Sequence, residues 1–281
     1  MKNIVIAIDA TKHSLDPLAL GRLLADAAKA PLVVVHAFDD SAAGAREEAE
    51  RVSVELATAA GVEPASYELI SSRKRARELQ RITEDEATGV MVIGSTTKGR
   101  LGRLFGGGGV GDRLLGGAAC PVAVAPHGYA DGAPDRLSRI GVAYDGSEDA
   151  RNALDGAQKL ARASGAQVRL FTVFERAAFG GAGGFFGAGS VNQIMRSELE
   201  GAFNEALAKA PEGVEMKGDF VEGSPSDVLA RESADLDLFV LGSRGFGPSG
   251  AVLMGGTTAN FMRTGRCPAL VTPRKTAFDL I

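Results

Sequence analysis

After an apolar run at residues 238–241 the chain reads Gly242-Ser-Arg-Gly245, then nine residues, then Gly255-Gly256-Thr257. Glycines so placed let a ligand approach the backbone closely and permit turns with positive φ. Bare N–H groups in such a loop, and at the start of a helix near Gly256, can cradle an anion such as a phosphate. Arg244 supplies a charge partner at the mouth. An earlier apolar run ends in Asp145, whose carboxylate could accept a hydrogen bond from a ribose hydroxyl or an adenine amino group. Val173 closes a third run and offers backbone contacts and an apolar wall for a base. The competing reading is structural, because glycine-rich turns between strand and helix often serve packing alone.

The pattern occurs twice, and internal repeats set the architecture. Asn3-Ile-Val-Ile-Ala-Ile-Asp9-Ala-Thr11 returns as Arg139-Ile-Gly-Val-Ala-Tyr-Asp145-Gly-Ser147, and Cys120-Pro-Val-Ala-Val returns as Cys267-Pro-Ala-Leu-Val. The offset grows from 136 residues at Asp9/Asp145 to 147 at Cys120/Cys267, and the glycine-rich stretch 179–190 accounts for the surplus. In the first copy the loop reads Gly94-Ser-Thr-Thr-Lys98-Gly99-Arg100-Leu-Gly102-Arg103, with Gly108 and Gly109 closing a run of four glycines. Asp9 and Ala37 complete that pocket. Lys98, Arg100 and Arg103 favour a polyphosphate on electrostatic grounds, or are solvated loop cations of little energetic weight.

Strands and helices must position these groups. Short apolar runs alternate with helical spacing in both copies. In the second, Ser147 can cap a helix to about residue 162, and strands are expected at 168–174, 215–221 and 238–241. Helices are expected at about 193–209 and from Ser224-Pro225-Ser226, with Pro225 in the first turn. Strands alternating with helices predict parallel sheets with right-handed crossovers. The reading is α/β: two doubly wound domains in tandem, each with a five-stranded parallel sheet, at residues 1–127 and 138–281 with a polar linker around 127–137. Ligands of such sheets sit beyond the strand C-termini where strand order reverses.

Asp-Gly-Ser after the first strand, Gly-x2-Gly-x9-Gly after the fourth and Cys-Pro-Val-x-Val near the end of a copy together resemble the universal stress protein family, in a tandem two-domain form. The resemblance covers essentially the whole chain. It implies strand order 3-2-1-4-5, helices on both faces, and an internal pseudo-dimer made by pairing the last strands, 122–125 and 269–272. It also implies ATP or a related adenine nucleotide, with or without Mg2+. By position it assigns Asp145 and Val173 to base and ribose, and Gly242, Arg244, Gly245, Gly255, Gly256 and Thr257 to phosphates. Where the family carries Ser or Thr after the third glycine this chain has Gly256, which lacks that hydroxyl.

Other features narrow the function. The 31 Lys and Arg against 35 Asp and Glu, net charge −4, give no basic footprint for nucleic acid. No apolar run approaches the roughly 18 residues of a membrane span. Glycine, at 37 of 281 residues, is about twice as frequent as usual. Two cysteines and no export signal fit free structural thiols in a reducing cytoplasm. His36 reads as a packing or hydrogen-bonding residue, while His13 and His127 sit in expected loops without partners. The basic cluster 73–77 reads as a solvated helix face. The stretch 179–190, with three phenylalanines among glycines, is a flap, a partner contact or a disordered loop. No nucleophile stands beside a base, and hydrolysis needs a positioned water and a group to orient it. A regulatory nucleotide binder is therefore expected, with a protein-binding scaffold and a slow ATPase as rivals. A homodimer and an unidentified protein partner are compatible with either of the first two.

Overall fold

A computed structural model describes residues 2–72, 74–95, 110–176, 188–243 and 255–273. The first half runs β1 (Asn3–Ile8), α1 (Leu15–Ala28), β2 (Leu32–Phe38), α2 (Ala45–Ala59), β3 (Ser66–Ser71), α3 (Arg75–Thr83), β4 (Thr88–Gly94), α4 (Val110–Gly117) and β5 (Val122–Ala125). The second half repeats the order with β6 (Arg139–Ala143), α5 (Glu148–Ser164), β7 (Gln167–Phe174), α6 (Ala188–Ala208), β8 (Met216–Glu222), α7 (Pro225–Glu232), β9 (Leu238–Gly242), α8 (Gly256–Thr264) and β10 (Ala269–Thr272).

All ten strands form one sheet in the order β3-β2-β1-β4-β5-β10-β9-β6-β7-β8. Each half therefore has the order 3-2-1-4-5, and every pairing within a half is parallel. The halves join where β10 pairs antiparallel with β5, Leu270 opposite Ala123. That joint consumes two apolar strands that would otherwise present unpaired N–H and C=O groups at an edge.

Strand alternation sends side chains to two cores. Ile4, Ile6, Val34 and Val92 face the layer of α1 and α5, whose core runs continuously across both halves. Val5, Val35, Met91, Phe171 and Phe239 face the opposite layer, where they meet Leu79, Leu114, Leu229 and Phe261 of the helices. Complete burial of such side chains stabilises by about 1.5–3 kcal/mol each.

The ends of α5 are set locally. Ser147 Oγ accepts from the Ala150 N–H at 3.2 Å, and Gly165, with φ 76°, closes the helix through its N–H to the Ala161 carbonyl. In the first half Lys29 occupies the matching left-handed position with φ 54°. Helix α6 starts five residues earlier than its expected start at 193, because residues 188–192 continue the same hydrogen-bonded spiral.

The connection between halves is docked. The Asp16 carboxylate, buried on α1, accepts from the N–H groups of Gly128 and Ala130, each at 2.9 Å. Leu137 is buried. The expectation that His13 and His127 lack partners is corrected here: their rings meet edge to face at 4.9 Å, and His127 Nδ1 lies 3.7 Å from Asp16 Oδ2.

Candidate functional site

In each half strand order reverses between the first and fourth strands, and a crevice opens at their C-terminal ends. In the second half Asp145 follows β6, and Gly146, with φ 76°, turns the chain back toward α5. The Ser147 N–H donates to Asp145 Oδ1 at 3.0 Å. Val173 and Phe171 of β7 and Leu241 and Gly242 of β9 form the floor, and Pro225 and Leu229 of α7 the wall, of an inner lobe of about 180 Å³. An outer lobe of about 650 Å³ shares Asp145, Val173, Thr257 and Thr258 and adds Gly255, Gly256, Glu175, Met195 and Glu198.

The described ends of the glycine loop are pinned together. Gly255 N–H donates to the Ser243 carbonyl at 2.7 Å, Thr258 Oγ1 donates to the Gly242 carbonyl at 2.8 Å, and Ser243 N–H donates to the Thr272 carbonyl at 2.9 Å. Helix α8 then starts without a side-chain cap. Its first bond runs from Ala259 N–H to the Gly255 carbonyl, so the N–H groups of Gly256, Thr257 and Thr258 have no intrahelical acceptor. All three residues line the crevice, where the helix dipole adds a partial positive charge.

Gly242 has a structural reason to be glycine. A Cβ there would come within 2.8–2.9 Å of Cβ, C and O of Asp149 in α5, so β9 and the helix meet almost backbone to backbone. Gly256 has no such reason, since a Cβ there meets nothing within 4 Å.

In the first half Asp9, Ala37 and Gly94 line a crevice of about 330 Å³ with Thr11, His13, Pro17, Arg75, Leu79 and Ser95. Asp9 is more committed internally than Asp145. Its Oδ1 accepts from Thr11 N–H at 2.9 Å, Thr11 Oγ1 at 2.5 Å and Ser14 Oγ at 3.0 Å. Gly94 is less constrained than Gly242, its nearest neighbour to a Cβ being Pro17 Cδ at 3.1 Å.

Asp145, Val173, Gly242, Gly255, Gly256 and Thr257 thus border one crevice, and Asp9, Ala37 and Gly94 the other. Arg244, Gly245, Lys98, Gly99, Gly102, Gly108 and Gly109 lie outside the described residues, as do Arg100 and Arg103 and residues 179–187 of the phenylalanine-bearing stretch. Arg75 and His13 are the site residues that sequence reasoning missed. Arg75 is exposed, as a solvated helix face requires, yet among the described residues of the cluster it is the one that lines the crevice. Aligning the starts of α3 and α7 pairs it with Pro225, a signal that was available.

His36 stands away from the crevice. Its Nδ1 lies 3.2 Å from the Ala49 carbonyl and 3.0 Å from Ser53 Oγ, and burial lowers its pKa. Both cysteines are buried; burial pushes the Cys120 thiol up to about 12 and raises that of Cys267 as well. Such thiols hold little thiolate and are inert. Among the described residues no three His, Cys, Asp or Glu side chains are grouped to hold a metal, and no helix is long and apolar enough to cross a membrane.

Comparison with known proteins places this geometry in context. The model of the universal stress protein family matches residues 1–126 and again residues 137–273. Universal stress proteins of Mycobacterium bovis and Mycobacterium tuberculosis are 26% identical over 236 residues, 83% of this chain and 79% of theirs. A universal stress protein from Thermus aquaticus is 26% identical over 132 residues, 46% of this chain and 94% of its own. The crystal structure of an Archaeoglobus fulgidus universal stress protein superimposes with a TM-score of 0.62 at 21% identity, covering 96% of each chain.

Proposed function

The chain belongs to the universal stress protein family, and from that premise we propose that its second half binds ATP or a related adenine nucleotide, as a regulatory or sensing module of a cytoplasmic stress response. The observation that carries this reading is the uncapped start of α8: three N–H groups without intrahelical acceptors line the same crevice as Asp145 and Val173. The amides suit a phosphate. Across from them, half-buried Asp145 is bonded through one oxygen to Ser147 N–H and suits a ribose hydroxyl or an adenine amino group. Val173, Leu229 and Leu241 give the base an apolar bed. Glu175 and Glu198 line the outer lobe, so a polyphosphate enters at lower electrostatic cost as its Mg2+ complex.

Gly256→Pro tests the cradle while keeping the helix. Proline is favoured at the first helical position, and Gly255 before it already has φ −56° and ψ 147°, the conformation a following proline demands. Calorimetric titration with MgATP should show affinity falling about tenfold, in keeping with the loss of one hydrogen bond to a charged group, at unchanged melting temperature. Equal affinity in the variant and the parent would remove the cradle from the account and favour the scaffold reading.

A further inference from the structure

We propose that the first crevice is selective for guanine nucleotides, while the second takes adenine; this rests on the reading that these crevices hold nucleotides. Three differences between the copies carry it. First, α3 begins with Arg75 where α7 begins with Pro225, and each residue lines its crevice four positions before a lining leucine, Leu79 or Leu229. Arg75 makes no hydrogen bond or ion pair among the described residues, so its fork of donors is available to a ligand. Helix α3 packs against β2, and Arg75 lines the crevice together with Ala37 of that strand, which is the base end. His36, the neighbour of Ala37 on β2, registers its charge: burial is the main cause of the lowered imidazole pKa, and Arg75 adds to it.

Second, the apolar side chains at the base end are smaller. Ala37 replaces Val173, and the inner lobe of the second crevice is narrowed by Phe171, whose positional counterpart Val35 does not line the first. The apolar residues Ala7, Ala37, Leu79 and Ile93 remain to bed a purine. Third, Oδ1 of Asp9 is already held by Thr11 and Ser14, so an adenine amino group finds fewer acceptor sites here than at Asp145.

The chemistry of the two purines separates them at such a wall. Guanine presents O6 and N7 as adjacent acceptors, the pair that an arginine fork meets with two parallel bonds. Adenine presents an N6 amino donor in place of O6, so a guanidinium beside it meets a donor and keeps at most one bond. A proline at this position, as in the second half, discriminates in neither direction.

The test uses the full chain carrying Asp145→Ala, which weakens the second crevice, titrated calorimetrically with GMP and with AMP. GMP is expected to bind at least tenfold tighter than AMP. Adding Arg75→Ala should bring the two within about twofold, and Arg75→Lys, which keeps the charge but not the fork, should restore less than half of the preference on a logarithmic scale. The proposal is overturned if AMP binds as well as GMP, if the preference survives Arg75→Ala, or if neither nucleotide binds. In the last case the parent chain separates the failures: ATP bound by the parent leaves the nucleotide reading of the second crevice standing, and no binding by the parent removes both.

Discussion

The two crevices arise from the same succession of elements, at the same reversal of strand order, yet their walls differ residue by residue. Asp9 is gathered into three hydrogen bonds by its own turn, whereas Asp145 receives one from Ser147. Pro17 touches Gly94 lightly, whereas the α5 backbone at Asp149 leaves Gly242 no room for a side chain. His13 and Arg75 line the first crevice; their positional counterparts are Asp149, which does not line the second, and Pro225, which does. A duplicated fold therefore did not carry a duplicated site with it. The sheet and cores tolerate exchange of apolar residues on each face, while a binding wall changes character with a single cation.

That contrast can be broken at several points, and the largest effect belongs to the glycines ending β4 and β9. Gly242→Ala should destabilise by about 2–3 kcal/mol, because helix backbone must move to admit the methyl group. Gly94→Ala should lose about 1 kcal/mol or less, since Pro17 alone must yield. Chemical denaturation of the two variants measures the difference, and equal losses would contradict the asymmetric packing.

The aspartates should divide along the same line. Asp145→Ala is expected to lower MgATP affinity by about tenfold, as for a hydrogen bond to a charged acceptor, with little change in stability. Asp9→Ala should instead cost about 1–2 kcal/mol of stability, because Thr11 and Ser14 lose their shared acceptor, and should leave MgATP affinity of the second crevice as it was. Paired calorimetry and denaturation distinguish these outcomes.

A pH effect should belong to the first half. His36 has a lowered pKa in the folded state, whereas Thr172 at the matching place donates to the Tyr144 carbonyl and does not titrate. Above the unfolded value of 6.5 the imidazole is neutral in both states and the contribution is fully present. As pH falls below 6.5 the unfolded chain takes up the proton first, and stability declines until the folded imidazole protonates too. His36→Thr should flatten that decline in thermal unfolding followed between pH 7 and 5. An unchanged slope would assign the dependence elsewhere.

The smallest effect lies at the C-termini of α1 and α5. Lys29 and Gly165 both adopt left-handed backbone, and only glycine does so without strain. Lys29→Gly should stabilise by about 0.5–1 kcal/mol and Gly165→Lys destabilise by a similar amount. Denaturant midpoints of the pair would show whether the two helix ends are equivalent.

Much of this architecture is legible in the sequence. The repeat, the alternation of elements, the Ser147 cap and the final strands at 122–125 and 269–272 follow from apolar runs and stop signals, and the structure shows them. Strand order is less accessible, because continuous apolar runs such as 238–241 look alike whichever neighbour they pair with; it came through family resemblance. The site was only half readable. A glycine at the end of a strand has one appearance in sequence whether it admits a phosphate or a helix backbone, and Gly242 proves to have the second reason. Arg75 was hidden inside a run of like charges, where its neighbours Lys74 and Arg77 are exposed and do not line the crevice. The contact of His13 with His127 joins opposite ends of one half, and no local pattern marks it.

The most direct test of the anion cradle is an amide NMR titration of the 15N-labelled chain with MgATP. The N–H resonances of Gly256, Thr257 and Thr258 should move together and saturably, with Asp145 and Val173 responding at the same midpoint. If these five amides stay in place at millimolar MgATP, the start of α8 does not hold phosphate and the central claim is contradicted.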